Sequence, residues 1–265
     1  MRTALIQFNA TADKQANVIR AVSLVEGALR KGAQFVLLPE IFHWRGDPRN
    51  LGRYHAAEKL PGPTAAVFTI LAKQYCAHIL LGSMLEKVGG RQKLYNTSML
   101  IGTQGNVVTK YRKIHLFDAR LGDNIVKESD AFLAGRKKAI GRVGPFTVGL
   151  SICYDLRFPD MYRAYALQGA NVLTVPSCFM KETGQAHWET LLRARAIENL
   201  SYVLAPNQVG KDARGMPAYG HSMVISPWGE VIACGSSDKE EIIMADISVD
   251  AVQKARAKLP SIMQG

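Results

Sequence analysis

An alternation that runs through almost the whole sequence constrains this chain most: short apolar runs rich in β-forming residues are separated by segments with helical spacing. The runs are TALIQF (3 to 8), FVLLPE (35 to 40), HILLGSML (78 to 85), NTSMLIG (96 to 102), FTVGLSICYD (146 to 155), NVLTVPS (171 to 177), YVLAPNQ (202 to 208), HSMVIS (221 to 226) and EIIMADIS (241 to 248). Apolar residues recur with a period near 3.6 at about 14 to 31, 64 to 76, 159 to 168, 186 to 199 and 249 to 257. This pattern predicts an α/β fold. At 265 residues, with 48% hydrophobic side chains and no Pro/Ser-rich linker, the chain reads as one large domain over 1–248, with 249–265 as its C-terminal tail.

Several function classes are disfavoured at once. No apolar run approaches the roughly 20 residues of a membrane helix, and the opening MRTALIQFNATADK lacks the apolar core of a signal peptide, so a cytoplasmic location is expected. Cys76, Cys153, Cys178 and Cys234 form no C-x-x-C pair, which fits neither a zinc cluster nor a disulfide framework. No two glycines are separated by a single residue, so no dinucleotide-binding G-x-G-x-x-G occurs, and no P-loop is present. His187-Trp188-Glu189 contains H-x-E without the P-C-x-x-C partner of zinc deaminases. The net charge of +11 suits an anionic partner: nucleic acid, an anionic membrane surface or an acidic small substrate. The densest basic stretches, 110–113 and 136–138, are short and lack an RNA-binding aromatic signature.

One internal echo points to where a site is built. Lys31-Gly-Ala-Gln-Phe-Val-Leu-Leu-Pro-Glu40 parallels Gln168-Gly-Ala-Asn-Val-Leu-Thr-Val-Pro-Ser177, each ending an apolar run in Pro plus a polar residue. Sites in α/β sheets lie past the carboxyl ends of strands, which makes Glu40 and Ser177 pocket candidates. The same pattern is also a common helix-to-strand connection.

Cys153 is delivered by the run 146–152 to a polar stretch before a helix, a turn at which a nucleophile projects and backbone N–H groups converge. A buried structural cysteine is the alternative. Glu40 follows an apolar strand directly, as a general base would, and Lys113 in KYRKIHLFD ends another strand pattern, where a cation stabilises an oxyanion and favours a thiolate. A surface acid and a solvated lysine are the bland readings.

Together these three segments, FVLLPE, YRKIHLFD and GLSICYDLRFP, resemble the Glu-Lys-Cys triad of the nitrilase, or carbon–nitrogen hydrolase, superfamily, in the family's chain order. The segments AHWETLLRARAIEN and YGHSMVISPWGEV are similar to its amidase branch. The resemblance implies a four-layer α-β-β-α sandwich. It also implies a homodimer or larger homo-oligomer pairing through 159–169 and 186–199, with Met161, Tyr165, Leu191 and Leu192 available as the apolar face. A monomer core would use the same residues. Glu128 resembles the family's second acid, with Asp118 and Asp123 as the other acids in reach. Arg157 matches the position that holds a distal substrate carboxylate in amidases of dicarboxylic monoamides, and Phe179 and Thr183 match further substrate-side positions. A structural ion pair with Asp155 or Asp160 is the alternative for Arg157.

The implied activity is a cofactor-independent amidase acting on a small carboxylate-bearing amide, such as deaminated glutathione or 2-oxoglutaramate. Glu40 takes the thiol proton, Cys153 forms a thioester, and Lys113 with the Tyr154 N–H holds the oxyanion. N-carbamoyl amino acid hydrolysis is the next enzyme reading. Nitrile hydrolysis is disfavoured because its flank in this fold is C-W-E. A Cys-His enzyme using His115, His187 or His221, and a basic nucleic-acid-binding module, are the readings from other classes.

Overall fold

In the computed structural model, which describes residues 1–47, 51–121 and 124–264, the apolar runs are dense because most strands bury both faces. In β1 (Arg2–Gln7) and β2 (Phe35–Leu37), Ala4, Ile6 and Val36 pack against Ala21, Val25 and Ala28 of helix α1 (Lys14–Arg30). The alternate residues Leu5, Phe35 and Leu37 face the opposite way, into a cluster with Val148, Leu150 and Leu173 of a second sheet. The strand period of two thus sorts one run into two cores.

The chain continues through α2 (Gly52–Ala56), α3 (Pro63–Gln74), β3 (His78–Glu86), β4 (Tyr95–Ile101), β5 (Val107–Arg112), β6 (Asp118–Leu121), β7 (Asn124–Lys127), β8 (Ala139–Val143) and β9 (Phe146–Leu150). There follow α4 (Pro159–Leu167), β10 (Val172–Thr174), α5 (Lys181–Asn199), β11 (Tyr202–Ala205), β12 (Met223–Ile225), β13 (Val231–Cys234), β14 (Glu241–Asp246) and α6 (Val249–Lys258). One sheet has the order β14-β1-β2-β3-β4-β5 and the other β13-β12-β11-β10-β9-β8, while β6 and β7 form a separate hairpin. With α1 and α3 outside the first sheet and α4 and α5 outside the second, the layers are α-β-β-α. The sheets meet so closely that a Cβ at Gly82 would collide with the Leu38 carbonyl and the Pro176 ring. The last strand, β14, returns to pair antiparallel with β1, and Val252 of α6 is buried in the second core.

Several readings of the sequence change. The strand in FVLLPE stops at Leu37 and that in FTVGLSICYD at Leu150, so Glu40 and Cys153 stand in the connections beyond. Helix α5 begins at Lys181 rather than near 186, and strands β8 and β13, the β6–β7 hairpin and helix α2 were not among the predicted elements. Met161, Tyr165 and Leu192 are buried within the single chain and Leu191 packs beside them, so they form core and are not a free apolar face for a partner. Ser177 is also fully buried, its hydroxyl donating to the Val175 carbonyl at 3.0 Å.

Candidate active site

Three strand ends converge on one cavity of about 650 Å³. Glu40 follows β2, Lys113 follows β5 and Cys153 follows β9, so two groups come from the first sheet and one from the second. Each position is fixed by backbone bonds just past the strand. The Lys113 N–H donates to Asn96 O at 2.8 Å, and the Cys153 N–H to Pro176 O at 3.0 Å. Cys153 opens a short 3-10 turn (Cys153–Arg157) with φ of +47°, and Ile41, next to Glu40, has φ of +46°. Left-handed backbone at a cysteine and at a β-branched isoleucine is strained, and such strain clusters where side chains must be aimed.

Glu40 and Lys113 are almost completely enclosed. The Glu40 Oε1 accepts from Lys113 Nζ at 3.0 Å and from Asn96 Nδ2 at 2.9 Å, and Oε2 accepts from the Cys178 N–H at 2.9 Å. Lys113 Nζ also lies 3.0 and 2.9 Å from the two oxygens of Glu128, whose Oε2 accepts from the Phe117 N–H at 2.7 Å. Burial alone would weaken the ammonium, but Glu128, Glu40 and Cys153 outweigh it and hold the Lys113 pKa well above its ordinary value. Burial pushes Glu128 upward, against the pull of Lys113.

Cys153 lines the same cavity as Glu40 and Cys178, and the Glu40 carboxylate and the Cys178 N–H both act on its thiol. Burial and then the Glu40 charge push this thiol well above its ordinary pKa, and Lys113 only partly opposes them. Lys113 thus favours the thiolate, as its charge leads one to expect, while burial and Glu40 outweigh it and keep the resting cysteine a thiol beside a base.

Of the acids considered beside Lys113, Glu128 is the one in place. Asp118 is exposed and accepts from the Ser129 N–H at 3.0 Å, and Asp123 lies outside the described residues. Tyr154, Arg157, Phe179 and Thr183 all line the cavity. The Arg157 guanidinium sits 5.8 Å from the Tyr154 ring centroid and 5.6 Å from that of Phe179, with Nη2 3.2 Å from His187 Nδ1. Among the described residues it has no carboxylate partner, which removes the ion-pair reading with Asp155 or Asp160. None of the three histidines weighed as a base lines the cavity: His115 is bound to Asp155, His187 to Arg157, and His221 to the Tyr219 carbonyl. The basic run 110–113 is committed as well, since Arg112 grips Glu86 with bonds of 2.7 and 2.8 Å and Lys113 is buried.

Sequence reasoning missed two residues of weight. Asn96 was read only as the start of a strand, yet it holds Glu40. Asp155 was weighed only as a partner for Arg157. Fully buried, it accepts from Tyr111 Oη at 2.7 Å, the Ile152 N–H at 2.9 Å and the His115 N–H at 3.1 Å, and its Oδ1 lies 2.7 Å from His115 Nδ1. The His115 ring stacks on Phe158, with centroids 3.6 Å apart. Asp155 thereby clamps the nucleophile turn to the segment on both sides of Lys113. Its position two residues after the cysteine was the available signal.

A buried acid, lysine and thiol thus face one cavity of an α-β-β-α sandwich, and comparison with known proteins gives the class to which this arrangement belongs. A model of the carbon–nitrogen hydrolase family matches residues 2–257. The omega-amidase of Xenopus tropicalis is 37% identical over 260 residues, covering 98% of this chain and 92% of that protein. The deaminated glutathione amidase of Synechocystis sp. is also 37% identical, over 263 residues covering 98% and 96%. A solved structure from Saccharomyces cerevisiae, of branch 10 of the nitrilase superfamily, superposes with a TM-score of 0.88 at 30% identity, covering 98% of this chain and 94% of that one. The chain belongs to the carbon–nitrogen hydrolase family, within the nitrilase superfamily, and is an enzyme that hydrolyses C–N bonds.

Proposed function

We propose that the chain is an amidase working through a Cys153 thioester on a small amide that carries a distal carboxylate, of the deaminated glutathione or 2-oxoglutaramate kind. The observation that carries this is the single Glu40 carboxylate, which bonds Lys113, Asn96 and the Cys178 N–H and faces the same cavity as the Cys153 thiol on which its charge acts. Glu40 accepts the thiol proton as sulfur attacks the amide carbonyl, then passes it to the departing nitrogen. The Lys113 ammonium and the Tyr154 N–H hold the oxyanion, since the first N–H groups of a helical turn have no partner within it. Water, deprotonated by Glu40, then hydrolyses the thioester. Glu128 keeps Lys113 charged and aimed. No step calls for a metal or cofactor.

Arg157 binds the distal carboxylate, supported by its lack of an acidic partner among the described residues and by the nearby rings of Tyr154 and Phe179, with Thr183 lining the same cavity. The substrate names borrow from the relatives named omega-amidase and deaminated glutathione amidase. Four free cysteines suit a reducing cytoplasm, and exposed Leu167, Ile197 and Trp228 leave apolar surface for a homodimer or larger assembly.

The test compares an ω-amide acid with its methyl ester, in native enzyme and in Arg157→Lys, which keeps the charge and loses the two-pronged geometry. Native enzyme should prefer the acid by about tenfold or more in kcat/KM, and the preference should shrink in the variant. Equal handling of acid and ester by the native enzyme would remove the carboxylate-bearing substrate class.

A further inference from the structure

Cys178 is a reactive group in the cavity that amide hydrolysis leaves unused. Its N–H serves Glu40, but its thiol has no part in the reaction, and it lines the same cavity as Cys153. The two residues are neighbours by construction of the sheet. The parallel pairing of β9 with β10 continues past both strands, through Ser151 N–H to Thr174 O at 3.2 Å and Cys153 N–H to Pro176 O at 3.0 Å. Cys153 therefore stands opposite Ser177, one residue from Cys178, and strand spacing and rise put the two cysteine Cα atoms about 6 Å apart. That separation lies within the range a disulfide spans. Cys76 and Cys234 are exposed and lie outside the cavity.

We propose that Cys178 is a resolving thiol for Cys153, so that a hydroperoxide entering the cavity leaves a reversible Cys153–Cys178 disulfide instead of an irreversibly oxidised nucleophile. In the first step Cys153 gives its proton to Glu40 and its sulfur attacks a peroxide oxygen. The O–O bond breaks and an S–O bond forms. Sulfur is oxidised to a sulfenic acid, and the peroxide is reduced to an alcohol, or to water, taking the proton. In the second step the Cys178 sulfur attacks the Cys153 sulfur, the S–S bond forms, the S–O bond breaks, and hydroxide leaves as water with the Cys178 proton. Two thiol hydrogens and two electrons have passed to the peroxide. Burial holds both thiols above their ordinary pKa, so a nearby base is needed to release a thiolate, and Glu40 lines the same cavity. The locked enzyme is inactive because its nucleophile is tied up, and a dithiol reductant restores it. The proposal goes beyond the amidase reading and does not depend on which amide is cleaved.

The test treats the full chain with hydrogen peroxide, then digests it without reduction for mass spectrometry, with amide hydrolysis followed in parallel. The expected product is a linked pair of peptides carrying Cys153 and Cys178, lighter by two hydrogens, which disappears on adding dithiothreitol as activity returns. In Cys178→Ser, Cys153 should instead gain two oxygens, and dithiothreitol should restore neither the mass nor that variant's own starting activity. Cys76→Ser and Cys234→Ser should behave as the native chain does. The proposal is overturned if native Cys153 reaches the doubly oxygenated form with no linked pair, if the link runs to Cys76 or Cys234, or if peroxide-treated Cys178→Ser is rescued like native enzyme. Should Cys178→Ser not fold, the peptide map of the native chain decides alone. Because the map reads mass, failure of the amidase reading would not be mistaken for failure of this one.

Discussion

The two halves of the sandwich hold their reactive groups by different means. The first sheet presents Glu40 and Lys113 in a closed set of charge-assisted bonds, almost without exposure, so position and charge are fixed together. The second sheet presents Cys153 on a strained turn whose main side-chain restraint is Asp155, and most of the donors to Asp155 belong to the other half, at Tyr111 and His115. The contrast follows from the chemistry. In the proposed mechanism the charges act by being preorganised, whereas the thiol has to reach a carbonyl and so depends on how its turn is aimed.

Breaking the first half should have the larger effect. Glu40→Gln keeps the shape and removes the base, so turnover should fall by about a thousandfold or more, because both proton transfers and water activation lose their agent. Stopped assays of ammonia release, paired with circular dichroism to check the fold, measure this. A variant retaining near-native turnover would return the base to another residue.

Breaking the tie between the halves should cost less. Asp155→Asn turns an amide NH₂ toward groups that are themselves donors, Tyr111 Oη and the Ile152 and His115 N–H groups. We expect kcat to drop roughly ten- to a hundredfold with KM less affected, since misaim of about 1 Å suffices for that, together with a lower Tm. A loss confined to Tm, with kcat of the folded enzyme unchanged, would make Asp155 purely structural.

The smallest effect concerns the packing of the first half and leaves turnover near neutral pH alone. His43 is completely buried, and burial, followed by the Lys14 charge, lowers its pKa to about 3. The unfolded chain binds a proton at this group below roughly pH 6.5, the ordinary histidine value. Between there and about pH 3 the unfolded state therefore carries more protons, and stability is lost as pH falls. His43→Gln should flatten the slope of unfolding free energy against pH in that window by up to about one proton. An unchanged slope would show that other groups govern the acid limb.

Legibility in the sequence followed the same division between interior and edge. Strands buried on both faces, such as those holding Val36 and Val148, announce themselves as continuous apolar runs. Strands β8 and β13 lie at sheet edges and are short: β8 is interrupted by Gly141 and Arg142, and β13, though apolar as Val-Ile-Ala-Cys, has only four residues. Glu40, Lys113 and Cys153 stood out because each lies just past a strand pattern with a side chain suited to chemistry, and the fold brings all three to one cavity. Asn96 and Asp155 were not, because their meaning lies in partners 56 and 40 or more residues away that only the folded chain brings together. Of the two uses open to Met161 and Tyr165 on α4 and Leu192 on α5, partner face or the chain's own core, the fold shows the core, because apolar helix positions have the same spacing in either case.

The central claim is that Cys153 carries the acyl group, and mass spectrometry of the working enzyme tests it most directly. Native enzyme mixed with an ω-amide acid, quenched in acid within a turnover and digested, should show the acyl mass on the peptide containing Cys153. Cys153→Ala should show neither adduct nor turnover while keeping its fold, because removing one sulfur at a cavity edge leaves little void. An acyl adduct on Cys178, or continued amide hydrolysis by Cys153→Ala, would contradict the account.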